Sequence, residues 1–256
     1  MKNKTLGFIG GGRITKIFLQ AFANKQQHFS SIVVYEINAE VLSELSSQFP
    51  DIQPTDDLQL TAKQDVVFIA LHPPAIMDTL DLIKNVVSDK TIIVSLAPKI
   101  SIGKLHQKLG TPNIIRMIPN ATSFINEGYN PLCFSEQYHL ERESISSMLE
   151  VLGNTFEVPE EQLEAYAIIS AMLPTYFWFQ FKSIAALGTQ MGLTDEQAND
   201  AIYHTMIAAL NTLYRSGKST DEVIDLIPVK PIGDYEDQVS KIYEDTLLPL
   251  YNKIKP

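Results

Sequence analysis

Two stretches, "DVVFIAL" at 65–71 and "TIIVSL" at 91–96, are apolar almost without a break and rich in β-branched residues. A strand with one wet face alternates apolar and polar residues. A strand apolar at nearly every position has to be covered on both faces. Parallel sheets with helices on either side give that cover, so these runs confine the chain to α/β architectures. "TLGFI" at 5–9, "SIVVYE" at 31–36 and "NIIRMI" at 113–118 read as further strands. Helical stretches fall between them, over 12–23 and over "NAEVLSELSSQF", where Asn38 stands at the capping position. The alternation predicts a doubly wound, Rossmann-type domain.

The first strand runs directly into Gly10, Gly11 and Gly12. After a strand and before a helix, Gly10 permits the tight turn and Gly12 lets backbone approach a pyrophosphate. The helix then offers free N–H groups and a partial positive charge. Thr15 stands where the Gly-x-Gly-x-x-Gly fingerprint has its third glycine. Glu36 closes the second strand, where a carboxylate accepts hydrogen bonds from a ribose hydroxyl and repels a 2′-phosphate. NAD is therefore favoured. Arg13, able to pair with a phosphate, keeps NADP open. The turn residues Gly10, Gly12, Arg13 and Ile14 and the strand-end Glu36 are the expected cofactor contacts.

Past about residue 155 the pattern becomes helical. A helix is expected over 159–191 with Pro174 inside it, ending at Gly192. Thr194 and Gln197 form a capping box for the next helix, to about 215. A short helix, the loop "PVKPIGDYE" and a last helix follow. The expected division is a dinucleotide-binding domain over 1–157 and an all-helical domain over 158–256.

Lys and Arg total 20 against 30 Asp and Glu, a formal charge of −10, which suits neither nucleic acid nor another polyanion. A single cysteine, Cys133, cannot form an internal disulfide, and no Cys/His cluster has metal-ligand spacing. No leader pattern is legible in "MKNKT", so a cytoplasmic protein is expected. The apolar stretch 165–188 is interrupted by Pro174, Gln180 and Lys182. It reads as a buried helix of a helical domain or dimer core rather than a membrane span.

"GFIGGGRIT", "DVVFIALHPP", "IIRMIPNATSFINEG" and "ISAMLPTYFWF", in that order, resemble pyrroline-5-carboxylate reductase over nearly the whole chain. The resemblance implies a Rossmann domain followed by a helical domain that pairs into a homodimer. It implies hydride transfer from NAD(P)H to the C=N carbon of a cyclic imine, in proline biosynthesis. Ala70, His72 and Pro73 fall in the family's segment beside the cofactor. "RMIPN" corresponds to Arg-Val-Met-Pro-Asn, which puts Asn120 near the nicotinamide. On the family's Ser-Gly-Ser-Gly-Pro-Ala-Tyr segment this chain keeps Ser170, Pro174 and Tyr176, with Ala171, Met172 and Leu173 in place of the small residues between. In the Ser-Pro-Gly-Gly-Thr-Thr loop, Pro231 and Gly233 remain, and Lys230, Asp234 and Tyr235 replace hydroxyl residues. Ser170, Tyr176 and Lys230 are the candidate catalytic residues, Lys230 as a cation for a substrate carboxylate. These departures leave open a sensor or scaffold that binds dinucleotide without catalysis, and a reductase of another small imine or ketoacid.

Overall fold

A computed structural model describes residues 3–256, apart from the side chains of Pro73 and Pro74. The chain forms two compact units. One runs to Ala171 and takes in Tyr251–Pro256, and the other is Met172–Leu250.

The first unit holds one eight-stranded sheet. In chain order its elements are β1 (Thr5–Ile9), α1 (Arg13–Asn24), β2 (Ser31–Tyr35), α2 (Ala39–Gln48), β3 (Ile52–Thr55), α3 (Leu58–Ala62), β4 (Val66–Ile69) and α4 (Pro73–Ile83). β5 (Ile92–Ser95), α5 (Ile102–Leu109), β6 (Ile114–Met117), β7 (Gly128–Phe134), α6 (Arg142–Leu149), β8 (Gly153–Glu157) and the one-turn α7 (Leu163–Tyr166) complete it. The strand order is β3-β2-β1-β4-β5-β6-β7-β8. β1 to β6 are parallel to their neighbours, β7 runs antiparallel to β6, and β8 is parallel to β7.

The apolar runs account for this arrangement. In β4, Val66 and Phe68 enter one core layer, with Phe8, Phe18 and Phe22. Val67 and Ile69 enter the other, with Ile76, Leu80 and Ile83 of α4. Successive side chains of a strand point to opposite faces, so one unbroken run feeds both layers. Phe8 and Phe68 stack at 4.5 Å between ring centroids, with Phe18 edge-on to both. Burying each such ring contributes about 2–3 kcal/mol.

Three strands carry no such run. β3 contains Pro54, which its place at the sheet edge tolerates. β7 and β8 form the opposite margin. Gly128 and Gly153 cross there so closely that a Cβ on Gly153 would lie 2.3 Å from Gly128 N.

The expected helix over 159–191 is broken. A 3-10 turn (Glu160–Gln162), α7 and a π turn (Ala167–Ala171) precede α8 (Leu173–Gln190). Pro174 lies in the first turn of α8 rather than inside it. Proline has no N–H for the carbonyl four residues back, and its ring crowds that carbonyl, so the helix restarts there. The division between units accordingly falls at 171/172 instead of 157/158. Residues 158–171 stay with the sheet, where Arg116 pairs with Glu160 and Glu164.

In the second unit α8 is followed by α9 (Asp195–Arg215), α10 (Thr220–Ile224) and α11 (Glu236–Ile254), whose last residues belong to the first unit. The Thr194–Gln197 capping box opens α9 as expected, and Gly192 sits at φ +99° in the turn before it. A Cβ on Gly188 would be 3.1 Å from Ala198 Cβ, so α8 and α9 touch closely. Trp178, Phe179, Tyr203 and Leu210 are each more than half exposed. Among the described residues no helix is long and apolar enough to cross a membrane.

Candidate functional site

From β1 the chain winds outward to β2 and β3. From β4 it winds the other way to β5 and β6. The strand order therefore reverses between β1 and β4, and ligands of open α/β sheets bind at the carboxyl ends of the strands flanking such a point. The glycine turn leaves β1 there, and Ala70 to His72 leave β4.

Gly10 is held at φ +108°, and a Cβ on it would lie 2.6 Å from the Ala70 carbonyl oxygen. Its N–H donates to Tyr35 O at 2.8 Å. Gly12 is the N-cap of α1, with nothing within 4 Å of the position a Cβ would take. No side chain caps that helix, and its first turn holds no acidic residue, so no capping side chain takes up its first N–H groups.

Thr15 has a definite role. It is fully buried, and its Oγ1 donates to Gly10 O at 2.5 Å. The residue at the third fingerprint position thus ties the first turn of α1 back to the glycine turn.

Glu36 is tied to the same turn. Its Oε2 accepts from Gly11 N and its Oε1 from Asn38 N, both at 2.9 Å. Asn38 in turn caps α2 through Glu40 N and Val41 N. Each Glu36 oxygen keeps a second lone pair. The carboxylate is therefore oriented by backbone and still able to accept.

Arg13 is exposed, and Lys16 reaches Glu44 at 3.6 Å. With Gly11, Gly12 and His72 they border a cleft of about 360 Å³. His72 is exposed at the N-cap of α4 and makes no side-chain cap bond. The Ile14 side chain packs against the core. Ala70 N donates to Ile9 O at 2.9 Å and holds β4 to β1 past the strand end. Pro73 opens α4, and its side chain lies outside the described residues.

Asn120 accepts through its Oδ1 from Thr122 N at 3.0 Å and Thr122 Oγ1 at 2.9 Å. Its Nδ2 donates to Ser170 O and Ser170 Oγ, both at 3.2 Å. The amide is satisfied inside the protein and is joined to Ser170, a candidate catalytic residue. Tyr176 and Lys230 lie in the helical unit. Tyr176 is half-buried 6.2 Å from Tyr243 between ring centroids, and its phenol is pushed up first by burial and then by Tyr243. Lys230 is exposed in its loop, its carbonyl accepting from Gly233 N at 3.0 Å.

Sequence reasoning missed the ionic cluster of Arg116, Glu160 and Glu164. Arg116 and Glu164 are each 1% exposed and paired with one another, and Arg116 reaches Glu160 at 2.9 Å. The signal was an arginine inside an apolar strand, which has to find a carboxylate. A larger cleft, about 540 Å³, opens beside Ile102, His106, Cys133 and Glu160. Glu160 there already accepts from Ile102 N at 2.7 Å and from Arg116. Burial first, then Glu160 and Glu157, push the Cys133 thiol up to about 11.

Residues 5–99 match the family described as NADP oxidoreductase coenzyme F420-dependent, and residues 160–230 match pyrroline-5-carboxylate reductase dimerisation. The pyrroline-5-carboxylate reductase of Corynebacterium melassecola is 24% identical over 225 residues, covering 86% of this chain and 83% of that protein. Pyrroline-5-carboxylate reductase 2 of Bacillus subtilis is 24% identical over 228 residues, 86% of this chain and 80% of its own. The crystal structure of Plasmodium falciparum pyrroline carboxylate reductase with NADP bound has the same fold, with a TM-score of 0.78 at 19% identity over 99% of this chain and 95% of that one. The two matches, in this order, and relatives aligned along most of their length make the chain similar to pyrroline-5-carboxylate reductases through both of its units.

Proposed function

We propose that the chain is an NAD(P)H-dependent reductase that delivers a hydride to the C=N carbon of a cyclic imine, pyrroline-5-carboxylate or a close relative, giving proline or a related product. The observation that carries this reading is the turn at the sheet's reversal point. Gly12 stands under open space, α1 offers uncapped N–H groups, and Glu36 is oriented by two backbone donors. These residues fit a dinucleotide. The backbone of Gly10 to Ile14 would take the pyrophosphate and Glu36 a ribose, with Ala70, His72 and Pro73 as further contacts from the segment that follows β4. When bound, the cofactor supplies the hydride. The protein supplies position, and a protonated imine needs little further activation.

Glu36 favours NADH over NADPH, and Arg13 is the cation placed to oppose that preference. The exposed apolar side chains of the helical unit support a homodimer built through it. Oxidation of NADH and NADPH with pyrroline-5-carboxylate tests the proposal, with NADH the better reductant. Failure of both dinucleotides to bind in a calorimetric titration would overturn it.

A second reading is a dinucleotide-binding protein without turnover. It is favoured by the internal saturation of the Asn120 amide and by Met172 and Leu173 at positions the resemblance makes small. Tight cofactor binding with no oxidation across a panel of imines and ketoacids would support it.

A further inference from the structure

Asn120 is 5% exposed, and protein groups fill all its amide positions. Thr122 N, which can only donate, identifies the amide oxygen and turns the nitrogen toward Ser170. The Ser170 carbonyl needs that nitrogen. Its helical partner four residues on is Pro174, which has no N–H.

The hydroxyl of Ser170 is bound from two directions. It accepts from Asn120 Nδ2 and gives its only proton to Tyr129 O at 3.0 Å. A hydroxyl has one donor and two acceptor positions. What remains free is one lone pair on a half-buried oxygen. Asn120 follows β6, so this oxygen belongs to the carboxyl edge of the parallel strands, the edge that carries the glycine turn. β6 stands two strand spacings from β4, about 10 Å.

We infer that Asn120 is a positioning residue that fixes the Ser170 hydroxyl as a hydrogen-bond acceptor, and that Ser170 receives the N–H of a protonated imine. This rests on the imine-reductase reading above. The reaction balances without a proton from Ser170. The hydride adds to carbon, the C=N π pair becomes the nitrogen lone pair, and the nitrogen keeps the proton it brought. The nicotinamide is oxidised, and solvent protonates the released amine. A ketoacid, whose carbonyl oxygen only accepts, finds no donor at Ser170, so the arrangement selects imines over ketones.

The test uses the full-length chain and two saturated ring analogues as competitive inhibitors, one a cyclic secondary ammonium and one with oxygen replacing the nitrogen. Ser170→Ala is expected to weaken the ammonium about tenfold and to lower kcat/KM for the imine by a similar factor. The oxygen analogue and dinucleotide affinity stay unchanged. Asn120→Ala, acting through Ser170, gives the same loss, and the double variant is no worse than either single one. Asn120→Asp keeps the Thr122 bonds and removes the donors to Ser170, which serves should the alanine variant not fold. Equal loss for both analogues, or additive losses in the double variant, would overturn the assignment. A wild-type chain that binds dinucleotide but reduces no imine overturns the underlying reading and this inference together. Wild-type turnover with an unaffected Ser170→Ala overturns the inference alone.

Discussion

At Gly10 an alanine side chain meets two obstacles, a φ of +108° and the Ala70 carbonyl 2.6 Å from the new Cβ. Gly10→Ala is expected to cost about 1–3 kcal/mol and to abolish dinucleotide binding, read by denaturant melts and calorimetric titration. Thr15→Val keeps shape but loses the hydroxyl bond to Gly10 O, leaving that carbonyl one donor short. Its expected cost is about 1 kcal/mol, with weaker cofactor binding. Two other residues set an alkaline limit. Burial raises the Cys133 thiol from 9.0 to about 11 and the Tyr138 phenol from 10.0 to about 12. Between those values the unfolded chain holds fewer protons than the folded one. The stability from these groups is therefore complete below pH 9 and falls as pH rises through 9 to 12. Urea melts at pH 8 and pH 10.5 should show the decline, and Cys133→Ala should remove the cysteine's share.

Among the elements, the join of β6 to α7 depends on a buried ion pair. Glu164→Gln leaves Arg116 without its buried carboxylate, and a loss of about 3–5 kcal/mol is expected in denaturant melts. Arg116→Met with Glu164→Leu removes both charges and should cost less than either change alone. The contrast between strands shows what the sequence makes legible. β1, β2, β4, β5 and β6 declare themselves because burial on both faces demands apolar residues in succession. β3 and β7 each contain a proline, and β8 reads "GNTFE", so their pairing comes from neighbours far along the chain. The glycine turn and Glu36 are legible for a related reason, since local backbone geometry selects those residue types. The bond from Asn120 to Ser170 spans 50 residues and leaves no local trace. The break before Pro174 has a local sign in the proline itself, set within the apolar run 165–188 that reads as one continuous helix.

For the whole molecule, the helical unit leaves Trp178, Phe179 and Leu210 more than half exposed. A homodimer covers such a surface, so sedimentation should find two copies at micromolar concentration. Trp178→Glu with Leu210→Glu should shift the chain toward monomer and lower its melting temperature. The return of Tyr251–Pro256 to the first unit has its own consequence. The helical unit leaves the first unit at Ala171 and rejoins it at Tyr251, so in topology it is an insert rather than an appended tail. Both attachment points belong to one scaffold. A graft exchanging 172–250 for the matching segment of a relative would keep both junctions, whereas one replacing everything from 172 onward would also strip the scaffold of its closing residues.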